Sequence, residues 1–220
     1  NIGTGAFLQR LCRDDVPLPG RLLRSVIWQD DRDIWFTDEG TVNGAGGALQ
    51  EVAAAAGRNI DDVFVHLEDW LGKIAAPPLF LNGVSGLGSP WWLADFPSRF
   101  VGNGDFPARM VAVVDSICFL IQRNLDEWGG AASRTLTLTG GLSRLDGLCR
   151  RIAELSTCEV VRPDEEEATA RGLAFLLAGC PAGWKKPAVQ HFEATPNPAL
   201  RARYERWREL MESEVETNVP

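Results

Sequence analysis

A strand that stops on two glycines and re-emerges as a helix constrains this chain more than any other feature. Residues 134–138 alternate as a strand, break at Thr139-Gly140-Gly141, and give way to a helical pattern near Leu145. Paired glycines at such a junction leave the backbone bare, so N–H groups and a helix N-terminus face whatever lies beyond the sheet edge. In open α/β sheets, ligands bind in crevices at the carboxyl ends of strands. Two further glycine-bearing segments, Gly3-Thr4-Gly5 and Gly44-Ala45-Gly46-Gly47, are candidates to line the same crevice. Three such loops in one acidic chain point to a nucleotide site.

Bulk properties narrow the alternatives. At 220 residues, 45% hydrophobic and 24% charged, the chain has the material for one large α/β domain. A net charge of −8 argues against nucleic acid as the main partner, because the 22 basic residues are scattered, not clustered. No apolar run approaches the ~20 residues that cross a bilayer, so no membrane association is expected. The five cysteines form no CxxC pairing, and the two histidines are far apart, so no zinc site is legible. Free or buried thiols in a reducing cytoplasm are the expectation. The chain opens on Asn1 in the middle of a glycine motif, which predicts a piece of something longer.

Along the chain, residues 1–8, 24–28 and 34–37 read as strands of an antiparallel meander around a turn-rich stretch, 14–20. Residues 44–56 read as a helix stopped by Gly57, and a second helix capped by Asp61 or Asp62 runs to about Lys73. A brief strand at 79–81 enters an irregular segment, 82–106, of about 25 residues, a length usually associated with function. The pattern of Met110, Val113, Val114, Ile117, Ile121 and Leu125 predicts a helix over 107–128 with one face in the core. A strand at 135–139, a helix at 145–155, a short strand at 160–161 and a helix at 165–178 follow. A proline-bearing linker then leads to a polar helix near 198–215. The order implies a mixed, mostly buried central sheet flanked by helices. Residues 1–180 are expected to form the nucleotide-binding domain, with 181–220 a linker and a helix packed on it.

Each candidate motif has a plainer reading beside it. Gly3-Thr4-Gly5 suits a hairpin tip wrapped around an anion, with the Thr4 hydroxyl donating to phosphate, but alone it is more often a plain turn. Glycines at 44, 46 and 47 need a steric reason inside a helical pattern, since each costs about 1 kcal/mol there. That reason is either the approach of a ligand or tight packing, and Gln50 falls one turn further on the same face. Asp164 and the glutamates after it fit a capped, dipole-favoured helix start better than a metal site. Trp91-Trp92 fits a sugar-stacking platform or the anchoring of a long loop.

The ordered series resembles the carboxy-terminal, nucleotide-binding half of the FGGY carbohydrate kinases. It comprises Gly3-Thr4-Gly5-Ala6-Phe7, residues 43–50, Ser85-Gly86-Leu87-Gly88-Ser89-Pro90, Thr139-Gly140-Gly141-Leu142-Ser143-Arg144-Leu145-Asp146, and Glu167-Ala168-Thr169-Ala170-Arg171-Gly172. The resemblance implies an actin-like, ribonuclease H-like ATPase domain that binds ATP with Mg²⁺ against a second domain bearing the sugar or polyol. By the same resemblance Gly3, Thr4 and Gly5 would contact the β/γ-phosphates, Gly46 and Gln50 the ribose and phosphates, and Gly140-Gly141 the adenosine. Leu145 stands where glycerol kinases place an asparagine, which implies a more apolar approach to adenine. Val113-Val114-Asp115 replaces the family's usual Ala-Glu pairing and implies a divergent subgroup. The family's catalytic aspartate and polyol-binding residues fall upstream of Gly3, so no catalytic residue is expected within this sequence.

Two other classes stay in view. A non-catalytic actin-like module would use nucleotide to change shape or partner. A dinucleotide-dependent oxidoreductase is disfavoured, because Gly140-Gly141 is not continued into G-x-G-x-x-G. Loop 82–106 could face substrate or a neighbouring subunit, including a second copy in a homodimer.

Overall fold

The computed structural model describes residues 1–12, 17–18, 20–129, 135–165 and 167–218. Arg134, Glu166 and most of the turn-rich stretch, including Asp14, Asp15 and Pro19, lie outside the described residues. Strands β1 (Ala6–Cys12), β2 (Leu23–Gln29) and β3 (Ile34–Val42) form an antiparallel sheet. Its order is β1-β3-β2, so the expected meander is corrected: the last strand lies in the middle. Charge accounts for this. Asp38 on β3 is fully buried and takes Arg10 of β1 at 3.2 Å and Arg24 of β2 at 2.8 Å, which requires a strand on each side. Burial works against that carboxylate, but hydrogen bonds from Arg24, Cys12 and Arg10 hold it below its ordinary range.

Helix α1 (Gly46–Ala55) follows directly, then α2 (Ile60–Lys73). The cap of α2 is the Asn59 side chain, which accepts from Asp61 N at 2.8 Å; Asp61 and Asp62 sit in the first turn, where the dipole favours them. Short strands β4 (Leu79–Leu81) and β5 (Arg99–Val101) pair antiparallel, so the stretch read as irregular contains a strand. Its remainder is packed: Val84, Leu87, Trp91 and Phe96 are buried. Trp91 lies edge-on to Trp207, and Trp92 Nε1 donates to Arg21 O, so this pair anchors the loop.

Helix α3 (Phe106–Glu127) is the spine of the molecule. Asp105 caps it by accepting from Ala108 N at 3.0 Å, and Pro107 lies in its first turn. One core face was expected, yet every residue from Met110 to Gln122 is buried. The reason is that α1, α2, α4, α6 and strands of two sheets pack around it. A helix covered on all sides loses its amphipathic contrast.

After α3 come β6 (Thr135–Thr137), a 3₁₀ turn (Gly141–Arg144) and α4 (Asp146–Ser156). Then follow β7 (Glu159–Pro163), α5 (Ala168–Leu177), β8 (Val189–Phe192) and α6 (Pro198–Asn218). Strands β6 and β7 are parallel, and β8 pairs antiparallel with β7. The expected single central sheet is thus corrected to three small sheets among the described residues. Ile2 stitches two of them together, donating to Thr139 O at 2.7 Å and accepting from Leu142 N at 3.1 Å.

Helix α6 is polar except for one stripe, Leu200, Tyr204, Trp207 and Met211, which is buried. Trp207 Nε1 donates to Phe80 O at 2.9 Å. Arg203 of α6 and Arg151 of α4 meet the buried Asp115 of α3 at 3.0 and 2.9 Å, tying three helices through one carboxylate. Removing that carboxylate would strand two guanidinium groups near the core, a loss of several kcal/mol.

Candidate functional site

The hairpin tip Gly3-Thr4-Gly5 is a tight turn closed by the Ile2–Ala6 bridge and by Gly3 N donating to Gly5 O at 2.8 Å. It wedges between two elements. On one side Gly46 N donates to Gly3 O at 2.9 Å, while Ala45 N and Gly47 N donate to Thr4 O at 3.1 and 2.9 Å. On the other, Ile2 bonds residues 139 and 142, which places the Gly140–Gly141 turn alongside.

A hollow of about 1000 Å³ opens where these backbones meet. Gly3, Thr4, Gly46, Gln50, Gly140, Gly141 and Leu145 all line it. Gly5 is not among the lining residues. A Cβ there would come within 2.9 Å of Val42 O, so the Gly5 position is explained by packing of the turn on β3. The loop 82–106, a candidate for substrate contact, contributes nothing to the lining.

The glycines of the hollow serve different ends. A Cβ on Gly46 would lie 2.7 Å from Gly3 O, so this glycine lets two backbones touch. Of the two readings left open for that segment, tight packing accounts for Gly46. Gly140 has φ +93° and ψ 166°, a region that L side chains scarcely enter, and a Cβ there would meet Ile2 O at 2.6 Å. Gly141 has open space beside it. Among the described residues the amides of Thr4, Gly140 and Gly141 have no protein acceptor. Bare amides of this kind, with the exposed Thr4 hydroxyl, are suited to an anion.

Apart from Leu145, the remaining walls were not singled out as a site by the sequence. Phe64 of α2 and Leu145 give an apolar surface, with Leu145 itself 8% exposed. Pro163, Asp164, Val189 and Gln190 come from β7, β8 and their flanks. Asp164 was expected to cap α5. Instead its N–H bonds Ala188 O at 2.7 Å, and Glu167, at the cap position, makes no side-chain cap bond. Two arginines, Arg144 and Arg162, and three acids, Asp164, Glu165 and Glu167, also line the hollow. The side chains alone therefore do not make it cationic; the anion-binding character resides in the backbone.

Arg162 and Cys149 share one acceptor. Arg162 Nη1 donates to Ser143 O at 2.6 Å, and Cys149 Sγ donates to the same oxygen at 3.1 Å. Burial pushes the Cys149 thiol up to about 11, with Arg162 opposing, so it stays protonated and keeps its donor role. The signal that could have marked Arg162 is its place near the carboxyl end of a short strand, where ligand crevices form. No disulfide joins any of the five cysteines.

Comparison with known proteins fits this geometry. Residues 2–179 match the model of the FGGY family of carbohydrate kinases, C-terminal domain. The glycerol kinase of Allorhizobium ampelinum is 29% identical over 98% of this chain and 44% of its own length. That of Shewanella amazonensis is 31% identical over 79% of the chain and 37% of its own. Among solved structures, the glycerol kinase of Plasmodium falciparum with ADP superposes with a TM-score of 0.80 at 19% identity, over 99% of this chain and 46% of that one. The ligand-bound xylulose kinase of Lactobacillus acidophilus gives 0.72 at 19% identity, over 98% and 46%. The chain thus spans less than half the length of these relatives. It belongs to the FGGY family of carbohydrate kinases, matching that family's C-terminal domain.

Proposed function

We propose that this chain is the ATP-binding half of a carbohydrate or polyol kinase, built on an actin-like, ribonuclease H-like ATPase domain. The convergence of Gly3-Thr4, Gly46 and Gly140-Gly141 on one hollow, in a chain of this family, is the observation that carries the reading. Thr4 would receive the β/γ-phosphates through its amide and hydroxyl. Gly46 contributes by letting the Thr4 loop lie close, since its own amide is already engaged. Gln50 would face the ribose, Gly140 and Gly141 would border the adenosine, and Leu145 with Phe64 would give the base an apolar seat.

Among the described residues no three His, Cys, Asp or Glu side chains gather as a metal cage. Mg²⁺ would accordingly enter on the nucleotide phosphates, as it commonly does, and neutralise charge there. Transfer of a γ-phosphoryl group to a hydroxyl needs positioning, charge neutralisation and a base. The base and the sugar or polyol site belong to the other half of the kinase in this reading. In this reading residues 1–180 supply most of the nucleotide-binding unit, and 181–220 add strand β8, which lines the hollow, and the closing helix α6. A cytoplasmic enzyme, with a homodimer as the simplest assembly to test, completes the proposal.

Calorimetric titration with Mg·ATP and Mg·ADP tests it, beside a phosphorylation assay with glycerol, pentoses and hexitols. Saturable nucleotide binding without phosphoryl transfer is the expected outcome for this polypeptide. Absence of nucleotide binding would refute the reading, and turnover by this chain alone would refute the division of labour.

A further inference from the structure

Behind the Gly140–Leu145 wall of the hollow stands one side chain with partners on three elements. Arg162, near the end of β7, donates through Nη1 to Ser143 O at 2.6 Å, on the 3₁₀ turn. Its Nη2 reaches Asp146 Oδ1 at 2.8 Å, at the first residue of α4, and also bonds Gln190 Oε1 on β8. The guanidinium lies 5.3 Å from the centroid of the Phe192 ring, which fixes its plane. Ser143 in turn donates twice to Gly140 O, from N at 3.0 Å and from Oγ at 2.7 Å. A chain of bonds therefore runs from Arg162 through Ser143 to the glycine that opens the turn at positive φ, Gly140. Glycine reaches this conformation without strain but is also free to leave it, so neighbouring bonds decide whether it is held.

We infer that Arg162 is a positioning residue of the nucleotide site: it clasps the 3₁₀ turn to β8 and so holds the bare Gly140 and Gly141 amides in place. The inference rests on the nucleotide reading above. An arginine suits this duty because its rigid fork donates in several fixed directions at once, which a lysine ammonium does not. Arg162 need not touch the ligand to act, since its identified donors are directed at protein oxygens on either side of the hollow.

Arg162→Gln and Arg162→Lys test this in the 220-residue chain, with Asp146→Asn as a milder variant should Arg162→Gln fold poorly. Affinity for Mg·ADP and amide hydrogen exchange are read together. Arg162→Gln is expected to weaken Mg·ADP binding about tenfold, with Arg162→Lys intermediate and Asp146→Asn smaller in the same direction. Exchange should quicken at the Leu142, Ser143 and Leu145 amides, which are hydrogen-bonded within or beside the turn. Unchanged affinity in Arg162→Gln overturns the inference. So does exchange that rises evenly across the fold, which would mark a role in general stability only. If the unsubstituted chain binds no nucleotide, the nucleotide reading falls on that result, and with it the positioning role. The exchange at these three amides then still shows separately whether Arg162 holds the turn.

Discussion

At the start of α1, the amides of Ala45, Gly46 and Gly47 are engaged by the carbonyls of Gly3 and Thr4. Across the same hollow, the amides of Gly140 and Gly141 meet no protein acceptor among the described residues. Both segments drew attention in the sequence for the same reason, clustered glycine beside a helix start. They differ in cause. Gly46 is small because a backbone carbonyl would sit 2.7 Å from any Cβ. Gly140 is glycine because its φ of +93° excludes side chains. A glycine cluster therefore signals close approach without saying of what, and a count of backbone partners separates packing from recognition.

Substitutions at the two segments can break or sharpen this contrast. The largest effect is expected at Gly140→Ala, where backbone strain and the contact with Ile2 O combine to a loss of about 3 kcal/mol. In a chain of this size that lowers the thermal midpoint by roughly 10 °C. Gly46→Ala comes next. Its gain in helix propensity is outweighed by the clash with Gly3 O, for a net loss of about 1–2 kcal/mol in a urea unfolding curve. Gly141→Ala is the sharpest discriminator: nothing lies within 4 Å of its Cβ, so stability should move by no more than about 0.5 kcal/mol. Mg·ATP binding should nonetheless weaken, because the added methyl enters the hollow. The smallest change in stability is expected at Thr4→Ala, which leaves it unaltered and lowers nucleotide affinity about three- to tenfold, the net worth of one hydrogen bond from a solvent-exposed hydroxyl. Were Gly141→Ala to unfold the chain as readily as Gly140→Ala, the distinction drawn here between strain and openness would fail.

What the sequence disclosed follows the range of the forces involved. Local signals sufficed for α3 and α4: apolar spacing, Asp105 before Pro107, and glycine after Trp128 are written in neighbouring residues. The glycine loops of the hollow were legible for the same reason. The order of the first sheet was not, because the position of β3 depends on Asp38 meeting arginines 14 and 28 residues away. Strand β8 lay hidden in a proline-bearing stretch read as linker, since its pairing with β7 is set across a separation the local pattern does not carry. Arg162, Phe64 and Val189 enter the site only through tertiary packing. The burial of α3 on every side had a faint local sign in Ala112 and Ser116, small residues away from the obvious stripe.

A backbone amide NMR titration with Mg·ADP tests the central claim most directly. Saturating shifts concentrated at Thr4, Gly140 and Gly141, with Ala45, Gly46 and Gly47 moving far less, are the expected result. Saturable binding that leaves Thr4, Gly140 and Gly141 unmoved, or no binding at all, would contradict it.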